Sequence, residues 1–352
     1  MRKRLLTSLI LLLSALITVN QADAQGRVLY SDGDVELHKG GELLDGKDIR
    51  QGTELQEFDL IRTGSDGFTE IEITSQGSGS ILIKAENNTS FYYSALKKPE
   101  STETVINMLS GSIGIKLKKM TSGDKLNVFS RNAVLGAKGT EFNIAASPDG
   151  SILVTCPEGI VSCSLSSGEE VIAGSGMIVE VLQGRQIKGV DVGIENLEMY
   201  RAEWFTERVK VFRAGAFSLT KPVIIQYEEL ADRFNIYYKE LKEFEKLFRK
   251  YSIESDDIDE GEIIEDKIMV SQAVLNMKSV FFTFDEFFYR IDEIKRFHDL
   301  IPVKGTLRKK YDIDDFMKDF QKNYKGMAKK AAYTRQVFRI YEQMENDNAF
   351  KQ

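Results

Sequence analysis

The chain has 352 residues, enough for two ordinary domains, and a net charge of -7 at neutral pH. An acidic chain without a basic run is a poor nucleic-acid binder, because attraction to phosphates supplies most of that affinity. Only two histidines are present. Neither has a nucleophile at a recognisable spacing, and no carboxylate pair stands out, so the composition indicates a non-enzymatic protein without a cofactor or metal site.

The first 24 residues have the pattern of a secretory signal peptide. Three basic residues at 2–4 precede an apolar run over 5–19, and a small-x-small cleavage site follows at 22–24. The run is too short to span a bilayer comfortably, so we expect cleavage between Ala24 and Gln25, with an uncleaved anchor as the alternative. Because no later stretch is apolar enough to span a membrane, we expect a periplasmic or secreted protein.

From residue 25 to residue 193 the sequence predicts a β domain. Residues 68–74 alternate with a period of two, which places one face of a strand on a core and the other in water. Similar short segments recur, separated by clusters of Gly, Asp, Asn and Ser such as 147–150. Many short strands with turn signals between them predict an all-β fold, which could be a sandwich, a barrel or a solenoid.

Four short motifs follow one another along this β region. They are a Thr-Gly-x-x-Gly turn at 63–67, a Leu-x-Gly-x-Ile step at 109–113, a box made of Gly139, Thr140, Glu141 and Phe142, and a Glu-Gly pair at Glu158 and Gly159. In this order and spacing they resemble the FecR-like domains, periplasmic modules of the iron-dicitrate sensor family, over about residues 26–192. The resemblance implies a solenoid-like domain that binds or signals. Lys138 stands where many family members have Arg, so an Arg-dependent contact is not carried over.

The box of residues 139–142 is interpreted as a structural element. Phe142 and Ile144 alternate with Glu141 and Asn143, so Phe142 is expected to point into the core. Gly139 is expected at a corner that a β-carbon would strain.

Both cysteines lie in the β region and flank a six-residue stretch, 157–162. If 158–161 forms a four-residue turn, Cys156 and Cys163 face each other across a strand pair, near enough for a disulfide. An oxidising compartment would favour the bond; two small buried thiols are the alternative. A metal site is disfavoured, because two cysteines without a nearby histidine do not supply four ligands.

Residues 194–352 are rich in Phe, Tyr, Lys and Glu and predict a helical domain. Apolar residues recur there with alternating spacings of four and three, as in a coiled-coil seam. The segments with this spacing are 223–248, 270–291 and, more loosely, 316–341, and a further helix is expected over about 194–213. Four helices joined by 252–261 and 302–306 predict an antiparallel bundle that folds independently of the β domain.

The acidic run at 254–260 lies between two of these helices. It lacks the glycine and the terminal glutamate spacing of an EF-hand calcium loop, so we interpret it as a solvated loop. Phe and Tyr along the seams are interpreted as core packing rather than as a ligand cage.

These features favour an exported protein-interaction or scaffold module of the cell envelope. The FecR-like domain would bind an unidentified envelope protein, and the helices would supply a second surface or a self-association contact. The resemblance implies an alternative, a sensor or regulator in iron-uptake signalling, but only three basic residues precede the apolar run, which leaves no room for a cytoplasmic anti-sigma segment. A carbohydrate- or peptidoglycan-binding protein is a further alternative, and Phe91, Tyr92 and Tyr93 are its only aromatic cluster.

Overall fold

The computed structural model describes residues 25–44, 46–74, 79–98, 101–118, 125–183, 186–252, 259–308 and 311–349. The expected signal peptide, including Ala24, lies outside the described residues, and so does most of the acidic run, at 253–258. Gln25, expected to be the first residue after cleavage, begins the first strand.

The described residues of the amino-terminal region form a large mixed β-sheet of sixteen strands. In chain order, β1 to β16 are Gln25–Asp32, Val35–Lys39, Glu42–Leu44, Glu54–Leu55, Leu60–Thr63, Phe68–Thr74, Ser80–Ala85, Ser90–Lys98, Ser101–Ser110, Ser112–Lys118, Lys125–Ser130, Ala133–Ala146, Ile152–Leu165, Glu170–Ala173, Met177–Leu182 and Gln186–Asp191. Twelve of them lie side by side in the order β3-β2-β5-β8-β9-β11-β12-β10-β7-β6-β1-β4, and β13 joins β12 to β14 and β15. The pair β9–β11 is parallel, whereas its neighbours pair in antiparallel fashion.

One face of this sheet encloses an apolar core. On β6 the side chains of Thr69, Ile71 and Ile73 are buried and alternate with more exposed residues, which confirms the period of two at 68–74. Residues of β7, β10, β12 and β13 complete the same cluster. The sheet therefore has an apolar core to which the described helices contribute no residue.

The carboxyl-terminal region is helical, as the seams predict. Among the described residues the helices are α1 (Leu197–Ala214), α2 (Ala216–Glu243), α3 (Glu245–Ser252), α4 (Glu260–Leu300) and α5 (Ile313–Ala349), with a small hairpin, β17 (Thr306–Arg308) and β18 (Tyr311–Asp312), before α5. The single helix predicted over 223–248 is interrupted at Phe244, which gives five helices instead of four. No described helix carries an apolar stretch long enough to cross a membrane.

The change from strand to helix occurs between Asp191 and Leu197, where composition places it. The helical core nevertheless extends onto the sheet. Phe58, Leu60 and Tyr92 are buried within the same apolar cluster as the helix residues. Adjacent strand residues point to opposite faces, so Tyr92 packs against the helices while its neighbours Phe91 and Tyr93 pack into the sheet core.

A layer of buried charge lies between the two regions. Arg335 on α5 donates from Nη1 to both carboxylate oxygens of Asp285 on α4, at 2.8 and 2.7 Å, and both side chains are fully buried. Arg335 Nη2 lies 3.3 Å from Nδ1 of His38, on β2. Further along α4, Asp292 pairs with Arg62 of β5 at 3.1 Å and Glu293 pairs with Arg131 at 3.0 Å. The two regions therefore share polar as well as apolar contacts.

The shared core leads us to expect a single unfolding transition. Tyr92 is buried beside Phe58, with ring centroids 6.1 Å apart, and the Arg335 guanidinium lies 5.9 Å from the centre of its ring. Tyr92→Ala should lower the free energy of unfolding by about 3 to 5 kcal/mol, the usual cost of removing a buried aromatic ring. Urea unfolding followed by circular dichroism and by fluorescence of Trp204, the only tryptophan, would measure it.

Tyr30→Ala is the control for that experiment, because Tyr30 is 51% exposed. It should change stability little. Two separate transitions, with only one of them shifted by Tyr92→Ala, would show that the regions unfold independently.

His38 gives the fold a dependence on pH. Burial lowers the pKa of His38 to about 4, and the positive charges of Arg335 and Arg62 act in the same direction, against the opposing effect of Glu36. The folded protein keeps this ring neutral, while an unfolded histidine takes up a proton near pH 6.5. The stability from neutral His38 is therefore complete above pH 6.5 and is lost as pH falls toward 4.

We expect the stability of the natural protein, relative to a His38→Gln variant, to fall by about 3 kcal/mol between pH 7 and pH 4. Urea unfolding of both proteins at several pH values would measure the difference. Parallel pH profiles for the two proteins would contradict this account of His38.

Candidate functional site

A cleft of about 480 Å³ lies where the sheet meets α1 and the end of α4. On the sheet side three turns line it: 86–88 between β7 and β8, 111–112 between β9 and β10, and 146–148 after β12. On the helical side the lining residues are Glu198, Arg201, Ala202, Phe205 and Val209 of α1 and Glu293, Arg296, Phe297 and Leu300 of α4. The cleft thus belongs to both regions of the molecule.

The turns on the sheet side are packed tightly against each other. Gly111 has a φ of +84°, and a β-carbon there would lie 2.6 Å from the carbonyl oxygen of Asn88, so this position requires glycine. Asn88 itself has a φ of +57°, and its N–H donates to the Gly64 carbonyl at 2.8 Å. Two of the sequence motifs, at 63–67 and 109–113, therefore shape this wall.

Two arginines from the helices bind these turns. Arg201 on α1 donates to a carboxylate oxygen of Glu86 and, at 2.7 Å, to Oγ of Ser112. Arg296 on α4 lies 3.4 Å from the Asn88 carbonyl oxygen and pairs with Asp292 at 3.2 Å. The Asn88 side-chain oxygen is buried and has no hydrogen-bond partner among the described residues. A ligand that reaches this end of the cleft would meet ion-paired groups and one unused acceptor.

The opposite side of the cleft is apolar and open. Phe205 and Phe297 line it, and Leu300 is 80% exposed, more than any other large apolar side chain of the described residues. Phe297 and Leu300 also line an adjoining cavity of about 370 Å³, together with Phe212 and Phe217. The two cavities share Phe297 and Leu300 and follow one another along α1, and together we call them the α1–α4 groove. Exposed apolar surface with a polar rim is typical of protein-binding sites.

The box Gly139-Thr140-Glu141-Phe142 lies outside the groove, in the middle of β12. Phe142 is fully buried, as the alternation predicts, and Glu141 pairs with Lys116 at 2.5 Å on the surface. The corner predicted at Gly139 is wrong. The strand continues through it, and the pairing with β13 shifts between Lys138 and Glu141, which makes a bulge.

The predicted turn at 158–161 is also wrong. Residues 152–165 form one continuous strand, β13, in which Gly159 has a φ of +87° and bends the strand without reversing it. Cys156 and Cys163 therefore lie along a single strand, seven residues or about 23 Å apart, too far for a disulfide. Both are buried free thiols. Burial raises the pKa of Cys163 to about 12, so its thiol stays protonated at neutral pH.

Other residues singled out from the sequence are placed as follows. Phe91, Tyr92 and Tyr93 are all buried, so this cluster offers no exposed ring to a sugar. His298 lies near the end of α4, with Nε2 3.2 Å from Asp314 Oδ1 and Nδ1 accepting the Val303 N–H at 3.1 Å. Within the described part of the chain, no group of three or more His, Cys, Asp or Glu residues is placed to hold a metal ion.

The family model described as FecR protein matches residues 59–162. The β region contains a FecR domain. Two crystal structures described as a putative anti-sigma factor from Parabacteroides distasonis are similar to the chain, with TM-scores of 0.33 and identities of 15% and 13%. Each likeness covers 40% of this chain, and the chain spans 62% and 63% of those two chains. No curated protein matches the chain.

The groove lies at the junction of the FecR domain with the helices. Its three turns fall within residues 59–162, whereas Arg201, Phe205, Phe297 and Leu300 come from the helical region beyond the match. No local sequence pattern singles out these four residues. Their spacing fits ordinary helices, and only the docking of α1 and α4 on the domain brings them together.

Phe142 and Glu141 allow a test of whether the box is structural. Phe142→Ala should cost about 3 to 5 kcal/mol of folding stability, the usual range for a buried Phe. Glu141→Gln should change stability little, because exposed ion pairs contribute weakly. Chemical unfolding of the two variants would measure both effects, and a strongly destabilised Glu141→Gln would contradict the interpretation.

Proposed function

We propose that this protein is a non-enzymatic, exported FecR-domain protein that binds another protein of the cell envelope in a signalling or regulatory role. The observation that carries the proposal is the α1–α4 groove at the edge of the FecR domain. An open apolar wall with Leu300 and Phe297 at its centre gives a partner side chain a surface to bury. Self-association through the helices would supply a second contact.

The polar groups of the groove support binding over catalysis. Glu86 is paired with Arg201, and Glu293 is paired with Arg131. Glu198 is far more exposed than either and faces solvent. An acid or base catalyst needs a carboxylate or histidine free to exchange protons with a bound substrate. Ion-paired carboxylates beside an apolar wall fit a docking surface better.

A regulatory role is supported by the match to the FecR family model. A sensor of iron uptake, the alternative that the family implies, would use the same domain and the same groove. The basic and apolar pattern of the first 24 residues supports export to the periplasm or beyond. The carbohydrate-binding alternative is left without an aromatic platform at 91–93, since those rings are buried.

Photo-crosslinking in living cells would test the proposal directly. Leu300, replaced by the photoreactive amino acid p-benzoylphenylalanine, should crosslink to an envelope protein under ultraviolet light. Ile225 is the matched control position, because it is an exposed apolar residue of α2 that lines neither cavity. Mass spectrometry would identify the crosslinked protein.

With the partner identified, Phe297→Asp should weaken binding more than about tenfold, because a charge would be buried in the apolar wall. Ile225→Asp should bind like the natural protein. Calorimetry would measure the affinities, with circular dichroism as the check on folding. Equal crosslinking at Leu300 and Ile225, or no partner at Leu300, would rule out the groove as the docking site.

A further inference from the structure

One face of α4 is covered at its carboxyl-terminal end and bare at its amino-terminal end. At about 100° per residue, Ile264, Ile268, Leu275, Ser279 and Phe282 lie on the same side of the helix as Glu286 and Glu293. We call the first five residues the α4 stripe. Their spacing is that of a helix–helix contact surface.

The β region covers this face beyond Thr283. Glu293 pairs with Arg131 of the turn before β12, at 3.0 Å. Burial raises the pKa of the Glu286 carboxyl group, and the positive charges of Arg131 and Arg290 oppose that rise. Arg290 lies against Gly150, in the turn before β13. The carboxyl-terminal half of the face is thus an interface already, formed within the chain.

No described residue of the β region is paired with the amino-terminal half of this face. Ile264, Ile268, Leu275 and Phe282 are between 41% and 70% exposed, and Ser279 between them is exposed too. Along the stripe there is no charged side chain. By contrast, α5 presents no exposed large apolar side chain among its described residues, and charged residues occupy much of its outer face.

Polar contacts border the stripe on both sides. Asn276 donates to Glu240 of α2 at 3.1 Å, and Lys278 pairs with Glu342 of α5. One turn before Glu240, Ile236 is exposed on the same side of α2 and widens the apolar surface. An apolar centre with a polar rim is the usual composition of an interface between proteins.

We propose that the α4 stripe binds the α4 stripe of a second copy of this chain, with the two helices antiparallel. The bare segment from Ile264 to Thr283 is about 29 Å long at the rise of an α-helix. In an antiparallel pair the two bare segments overlap along their whole length, and the tip of each ends at the β region of the other copy. Ile268 then lies opposite Ser279 of the second copy.

A parallel pair is excluded by the same geometry. The β region projects from the stripe side of α4 beyond Thr283, so two parallel helices would place both β regions in the same space. Two overlapping helices of this length bury on the order of 500 Å² per copy, which is near the lower limit of a specific interface. The dimer is therefore reversible and dependent on concentration.

This inference deepens the self-association part of the proposed function, and its surface is separate from the α1–α4 groove. Sedimentation velocity of the purified protein over a wide range of concentrations tests it. The natural protein should dimerise. Leu275→Glu should weaken the dimer more than about tenfold, because two negative charges meet near its centre without partners.

Met269→Glu is the matched control. Met269 is 59% exposed, close to the 54% of Leu275, and lies on the same helix about a third of a turn away from the stripe. This variant should dimerise like the natural protein. Circular dichroism would verify that both variants fold.

A charge pair tests the direction of the helices. Ile268→Glu alone should weaken the dimer, and adding Ser279→Lys to the same chain should restore it, because the antiparallel pair places Glu opposite Lys twice. A parallel pair would place Glu opposite Glu and would not recover. A protein that stays monomeric at every concentration, or a dimer that Leu275→Glu leaves unchanged, would overturn the proposal.

Failure of the double variant would overturn the antiparallel arrangement. None of these outcomes bears on the groove, since crosslinking at Leu300 reports on a different surface. A crosslink at Leu300 together with a strictly monomeric protein would retain the proposed partner binding and reject the dimer.

Discussion

The burial of Arg335 is the constraint on which the arrangement of the molecule depends. Its guanidinium is fully buried and pairs with Asp285, so both charges must be shielded from water on all sides. The helices alone do not provide that shield, because Tyr92 and His38 on the sheet complete the surroundings. A buried pair that loses part of its shell costs several kcal/mol, which ties the helices to one position on the sheet.

That position produces the α1–α4 groove. Once α4 is fixed through Asp285, its next turns bring Asp292 and Glu293 against Arg62 and Arg131. Its end then lies beside the turn that holds Asn88. The FecR domain supplies one wall and the helices the other, so neither region forms this groove alone.

Local periodicity predicted the strands and helices, but it could not predict contacts between residues that are distant in the sequence. Alternation at 68–74 and the seams within 223–341 correctly indicated strands and helices, because both patterns reflect one buried face. Arg201 and Glu86 are separated by 115 residues, and no local pattern marks such a pair. The turn assigned to 158–161 failed for another reason: glycine with a positive φ occurs in bulges as well as in hairpins. Gly159 bends β13, and the ladder continues beyond it.

The β region covers only part of α4 because the helix is longer than the surface of the β region that faces it. The helix has 41 residues and is about 60 Å long, far longer than the part that the β region can reach. Glu286 and Glu293 lie in the covered part, where the positive charges of Arg131 and Arg290 offset their negative charges. The bare part carries Ile268, Leu275 and Phe282, whose apolar side chains are exposed to water at a cost in free energy. A solvated helix of a monomer would be expected to carry charged residues at those positions, as α5 does on its outer face. The change from charge to apolar residues along one face therefore marks the point where the chain's own contact ends and the proposed contact with a second copy begins.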